Sequence, residues 1–141
     1  MHKIFVLFSL VLLTYAVKAQ DCDSVQTVVE SYLTNDENGR SFISDGQAYI
    51  AYLDREKAEF KTTFYGNSVY RVAASAGTVD DFVIFTIYDE NDNILFTNKD
   101  QRNAPFWDFK IASTINVRIE TELDLDKKVS GCAIMYIGFQ K

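Results

Sequence analysis

The chain has 141 residues, with 20 acidic side chains, 14 basic ones and a single histidine, His2. A surface this acidic repels phosphate backbones, and no basic patch stands out, so a nucleic-acid partner is excluded. The two cysteines are too few for a four-ligand zinc site.

Residues 1–19 are predicted to be a secretory signal peptide. His2 and Lys3 form a basic start, Ile4–Leu13 is the apolar core, and Val17-Lys18-Ala19 has the small residues needed for cleavage. The apolar run is too short to span a membrane. The alternative is a buried N-terminal helix. The sequence therefore predicts export, to the periplasm or outside the cell, without a membrane span.

Cleavage after Ala19 leaves residues 20–141, with 12 basic residues against 20 acidic ones, a net charge of −8. His2 leaves with the signal peptide. The exported chain then has no Ser-His-Asp or Cys-His nucleophilic site and no histidine-ligated metal. Asp21 stands where a lipoprotein signal needs a small residue, so a lipid anchor on Cys22 is not expected.

Cys22 and Cys132 are the only cysteines, and an oxidising compartment allows them to pair. We predict a disulfide that ties the N-terminal segment to the last strand. The alternative is one buried thiol in that strand and one exposed thiol near the terminus.

Residues 20–45 are predicted to form an N-terminal helix and a loop. Asp23 or Ser24 can cap the helix. Apolar residues recur at helical spacing and form one stripe: Val25, Val28, Val29, Tyr32 and Leu33. We expect the helix to cover an open end or an edge of the domain that follows.

Residues 46–141 are predicted to form an all-β domain. Short segments rich in aromatic and β-branched residues alternate with turn residues, which is typical of a sandwich or barrel. The strands are expected at 47–53, 58–65, 69–75, 82–88, 94–97, 106–112, 115–123 and 132–139. We predict a jelly-roll-like antiparallel β-sandwich of about eight strands with a short N-terminal helix.

Two connections are read as hairpins, one over residues 54–57 and one at Gly66-Asn67. The alternative to the first hairpin is a helix over Tyr49–Lys61, because this segment contains good helix formers. The segments 82–88 and 132–139 are apolar on both faces, so both are expected in the middle of a sheet.

The best candidate for a metal site is the acidic turn after the fourth strand. Asp89, Asn91 and Asn93 occupy positions 1, 3 and 5 of a calcium-loop pattern, but Ile94 replaces its glycine. The competing interpretation is a solvated hairpin turn. Calcium is the one cofactor that the sequence suggests.

Aromatic residues make up 14% of the chain and suggest a carbohydrate-stacking platform or a packed core. Strand alternation puts Trp107 in the core and leaves Tyr52 and Phe106 as the rings expected to face solvent. These two are the candidate ligand-binding residues. The other aromatic residues considered are Tyr49, Tyr65 and Tyr70.

Four segments resemble a group of small secreted proteins of Bacteroidota: FYGNSVYRVAAS (64–75), VIFTIYDENDNILFTN (83–98), NAPFWDFK (103–110) and SGCAIMYIGF (130–139). The resemblance covers about residues 45–141. The layout is also distantly similar to pre-peptidase C-terminal and GOLD-type β-sandwich domains. These are accessory or interaction domains, and some of the pre-peptidase domains bind calcium or polysaccharide.

The predicted function is an exported, non-catalytic binding or structural module whose partner is an unidentified protein or polysaccharide. The alternative is a carbohydrate- or calcium-binding accessory domain. A third hypothesis is a glycoside-processing enzyme that uses paired carboxylates, for which Glu120 and Glu122 share a strand face. Those two glutamates also fit an ordinary solvated face.

Overall fold

The structure is a computed structural model that describes residues 22–34, 39–77 and 82–140. The predicted signal peptide lies outside the described residues. The elements are α1 (Cys22–Thr34), β1 (Ile43–Leu53), β2 (Ala58–Phe64), β3 (Ser68–Ser75), β4 (Val83–Tyr88), β5 (Ile94–Thr97), a 3₁₀ turn (Asn98–Gln101), β6 (Phe106–Ile111), β7 (Ile115–Leu123) and β8 (Gly131–Gln140). All eight predicted strands are present, so the alternative helix over Tyr49–Lys61 is wrong.

The strands form two antiparallel four-stranded sheets. The first sheet has the order β1-β8-β3-β6, and the second has the order β2-β7-β4-β5. Four pairs are nested, so that the first strand pairs with the last, the second with the seventh, the third with the sixth and the fourth with the fifth. This nesting is the jelly roll, and the predicted fold class is confirmed.

Both predicted early hairpins are wrong, because β1 and β3 belong to the first sheet and β2 to the second. The connections β1–β2 and β2–β3 therefore cross between sheets, and β4–β5 is a true hairpin. The β2–β3 connection requires a glycine at position 66, since a Cβ there would lie 2.9 Å from the carbonyl oxygen of Ala112. Turn residues specify a reversal of direction and leave open which strand the chain then pairs with.

The core lies between the two sheets. It includes Phe85 and Ile87 from β4, Ile119 from β7, and Met135 and Ile137 from β8, all at most 2% exposed. Strands β4 and β8 each have a neighbour on both sides, as their two apolar faces predicted.

Helix α1 covers the outer face of the first sheet, whereas we expected it at an end or an edge. Its buried residues Val25, Val29 and Leu33 form one stripe and pack against Ile134 and Tyr136 of β8. Because β8 has apolar residues on both faces, its outward face needs this cover.

The disulfide joins Cys22, at the start of α1, to Cys132 in β8, with 5.7 Å between the two Cα atoms. Cys132 is fully buried, and the predicted pairing is confirmed. Among the described residues, no helix is both long enough and apolar enough to cross a membrane.

Arg71 of β3 lies buried between α1 and the first sheet. Its guanidinium donates from Nε and Nη2 to both carboxylate oxygens of Asp108, at 2.6 and 2.9 Å, and from Nη1 to the carbonyl oxygen of Tyr32 at 2.8 Å. The rings of Phe42 and Phe106 sandwich it, with centroids 4.3 and 4.4 Å away. This buried cation therefore links β3, β6, α1 and the chain before β1.

Candidate ligand-binding cleft

A cleft of about 580 Å³ opens where the edge strand of the first sheet, β1, faces the edge strand of the second, β2. We call it the tyrosine cleft. Its lining residues come from β1, β2, the β2–β3 crossing, β3 and β8: Asp45, Gln47, Tyr49, Thr62, Thr63, Tyr65, Ser68, Tyr70, Ile137 and Phe139. It has an apolar floor and a polar rim, and its volume is ordinary for a small-molecule site.

An irregularity in β1 shapes the polar rim of the cleft. The register against β8 shifts between Ser44 and Ala48, and Gly46 within this bulge has a φ of 88°. A β-bulge changes the direction in which neighbouring side chains project. Asp45 Oδ1 accepts a hydrogen bond from the backbone N–H of Gln47 at 2.9 Å, which fixes the carboxylate at the rim.

Tyr49 connects this rim to the floor of the cleft. Its hydroxyl donates to Asp45 Oδ2 at 2.8 Å, and its ring meets Phe60 edge-on, with centroids 5.2 Å apart. Burial, followed by the hydrogen bond and the negative charge of Asp45, raises the pKa of Tyr49 to about 12. The phenol is therefore protonated at neutral pH and holds Asp45 in place.

The opposite wall is formed by Tyr65 and Tyr70. Tyr70 is buried, and its hydroxyl accepts a hydrogen bond from the backbone N–H of Tyr65 at 3.0 Å. Tyr65 itself is 63% exposed and lies directly before the Gly66-Asn67 crossing. The buried Tyr70 thus holds in place the backbone of the exposed Tyr65.

The two predicted ligand-binding aromatics lie away from this cleft and from each other. Tyr52 is 68% exposed on the outer face of β1, as expected. Phe106 is half-buried, because it packs on Arg71 and on Tyr32, whose ring centroid is 5.6 Å away. The predicted solvent-facing position of Phe106 is therefore wrong.

The acidic turn is held by hydrogen bonds. Asp89 Oδ1 accepts from the backbone N–H groups of Asn91 and Asn93, and Oδ2 accepts from the Asn93 side chain. These bonds, the Asn93 side chain first, lower the pKa of Asp89. No cluster of three or more histidine, cysteine, aspartate or glutamate side chains suited to a metal occurs in the part of the chain that the structure describes. The calcium hypothesis for Asp89, Asn91 and Asn93 gains no support from this geometry.

The two glutamates considered for glycoside hydrolysis lie on the outer face of the second sheet. Glu120 accepts a hydrogen bond from Arg118 at 2.6 Å, and Lys57 lies 3.2 Å from Glu122. Arg118 also bonds Asp92 and stacks over the ring of Tyr88. These contacts form a surface ion-pair network.

The sequence matches no protein-family model and no curated protein. The resemblance to secreted Bacteroidota proteins and the layout similarity to accessory sandwiches therefore stay predictions.

The sequence suggested Tyr49, Tyr65 and Tyr70 only as members of a wider aromatic platform, and core packing was the favoured interpretation of that platform. Asp45 was expected in a loop. A signal was present in Ser44-Asp45-Gly46, because turn-type residues beside a strand pattern indicate a bulge. The convergence of the three tyrosines had no such local signal.

Proposed function

We propose that the protein is an exported, non-catalytic binding module that takes a saccharide in the tyrosine cleft. The observation that carries this proposal is the composition of the cleft, where tyrosine rings stand beside a carboxylate, an amide and several hydroxyl groups. A sugar ring has apolar C–H faces that pack on aromatic rings, and its hydroxyls need directional hydrogen-bonding partners. A concave site with a few convergent polar groups supplies both.

A non-catalytic role is supported by the carboxylates. Glycoside hydrolysis uses two carboxyl groups that flank the scissile bond. Among the lining residues of the cleft, Asp45 is the single carboxylate, and its oxygens already accept hydrogen bonds from Gln47 and Tyr49. The ligand is therefore held and not cleaved.

Export is supported by the predicted signal peptide and by the Cys22–Cys132 disulfide, because disulfides persist in oxidising compartments. A negative net charge disfavours acidic polysaccharides. We therefore infer that the ligand is a neutral saccharide.

The test is a calorimetric titration of the exported chain with soluble oligosaccharides of β-glucan, mannan and xylan. Tyr65→Ala removes the exposed ring of the cleft. We expect it to weaken binding about tenfold, which corresponds to about 1.4 kcal/mol.

Tyr52→Ala is the matched control, since Tyr52 is equally exposed but lies outside the cleft. We expect this variant to bind like the wild type. Absence of binding by all three glycans, or loss of binding in Tyr52→Ala with retention in Tyr65→Ala, would overturn the proposal.

A further inference from the structure

The four edge strands of the sandwich differ in how they are protected. An edge presents unpaired backbone N–H and C=O groups, and proteins blunt it with charged residues or by keeping it short. Strand β5 has four residues, β2 contains Glu59 and Lys61, and β6 contains Asp108 and Lys110. Strand β1 has 11 residues and ends in five uncharged ones, Tyr49–Leu53.

The same segment is apolar on its outward face. Ile50 and Tyr52 are 52% and 68% exposed. In the register with β8 they lie opposite Ile134 and Cys132, which α1 buries. Helix α1 packs on β8 and β3, so the apolar outer surface of the first sheet continues past the helix onto β1.

The segment Tyr49–Leu53 is complementary to itself when it is paired antiparallel about Ala51. Ile50 then lies opposite Tyr52 of the second copy, and Tyr49 lies opposite its Leu53. Directly opposite residues project to the same face, so the outward pairs match aliphatic with aromatic side chains on the outer surface. No charged residue falls within the paired segment, and this removes local repulsion between two acidic chains.

We propose that two copies of this protein associate through β1 and form a continuous eight-stranded sheet. A second copy is the occupant that this edge fits, because it brings both an extended backbone and the complementary sequence. The contact is isologous and uses the exposed edge of each copy once, so it closes at a dimer. This inference is independent of what the tyrosine cleft binds.

The test is sedimentation velocity of the exported chain over a range of concentrations. We expect the weight-average mass to rise towards twice the monomer mass. Ile50→Lys adds a charge to the outward face of the edge, and we expect it to keep the chain at the monomer mass. Ile94→Lys is the matched control on the edge strand β5, where the side chain is 60% exposed, and we expect it to dimerise like the wild type.

Tyr52→Lys is a second blocking variant, and a thermal melt of each variant verifies folding. A folded Ile50→Lys or Tyr52→Lys variant that still dimerises would overturn the proposal. A wild type that stays monomeric at every concentration, assembles beyond a dimer, or is dissociated equally by Ile94→Lys would also overturn it.

Discussion

Arg71 and Arg118 show how burial changes what one kind of residue does in this molecule. Each pairs with a carboxylate and lies over an aromatic ring. Arg71 is 1% exposed and joins two layers of the structure, whereas Arg118 belongs to the surface network of the second sheet. A buried guanidinium that loses a partner has no water to replace it. A guanidinium at the surface can bond to water instead.

We therefore predict that Arg71→Met lowers the free energy of unfolding by about 3 kcal/mol, because it leaves Asp108 without its bidentate partner. The matched variant Arg118→Met is expected to cost less than about 1 kcal/mol. Urea denaturation of both variants measures the difference. Equal losses would contradict the assignment of Arg71 as the buried link between helix and sheet.

Tyr49 gives the cleft a measurable pH dependence. Its pKa in the folded chain is about 12, above the ordinary value of 10.0 that the unfolded chain keeps. The folded chain holds this proton more tightly, so the stabilising contribution of Tyr49 is present below pH 10 and is lost as the pH rises from 10 to 12. We expect the difference between the phenolate titrations of wild type and Tyr49→Phe to have its midpoint near 12.

Burial is the largest cause of this shift, and Asp45 comes second. Asp45→Asn should therefore lower the midpoint while leaving it above 10. Far-UV circular dichroism shows over which pH range the chain stays folded. A wild-type midpoint at 10 in that range would mean that Tyr49 is not desolvated at the cleft.

Among the elements, α1 and β8 depend on each other. The helix buries one apolar stripe, and β8 has a second apolar face that no other strand can cover because it points out of the sandwich. The disulfide fixes the start of the helix to this strand over a sequence separation of 110 residues. The helix is therefore part of the domain core, although it precedes the first strand.

We predict that Cys22→Ala/Cys132→Ala lowers the free energy of unfolding by up to about 4–5 kcal/mol, the chain-entropy value for a loop of this size. Chemical denaturation with and without a reductant measures the effect. The reductant should destabilise the wild type and leave the double variant unchanged. A wild type that is insensitive to reductant would contradict the pairing.

On the scale of the whole molecule, the jelly roll nests the chain so that its first and last strands pair at one edge of the first sheet. Strand β1 pairs with β8, and both border a cleft that also draws on β2, β3 and the crossing between them. The tyrosine cleft and the free edge of β1 therefore lie on the same side of the sandwich. Saccharide titration and sedimentation examine them separately, so either proposal can fail alone.

The fold was largely predictable because its signals are local. Runs of aromatic and β-branched residues between turn residues placed all eight strands, and the two apolar faces of β4 and β8 predicted their interior positions. The apolar stripe of α1 predicted a helix with one buried face. Composition and compartment predicted the Cys22–Cys132 pair, since only two cysteines were present.

Pairings between distant segments were decided by the tertiary structure alone. Gly66-Asn67 encodes a turn, but packing decides whether the next strand stays in the same sheet or crosses to the other. Phe106 is half-buried because Arg71 and Tyr32 pack on its ring. Neither contact can be predicted from the spacing of residues near Phe106 in the sequence. Tyr49, Tyr65 and Tyr70 converge for the same reason. Alternation fixes the face on which a side chain lies, and only the packed sandwich fixes what that face meets.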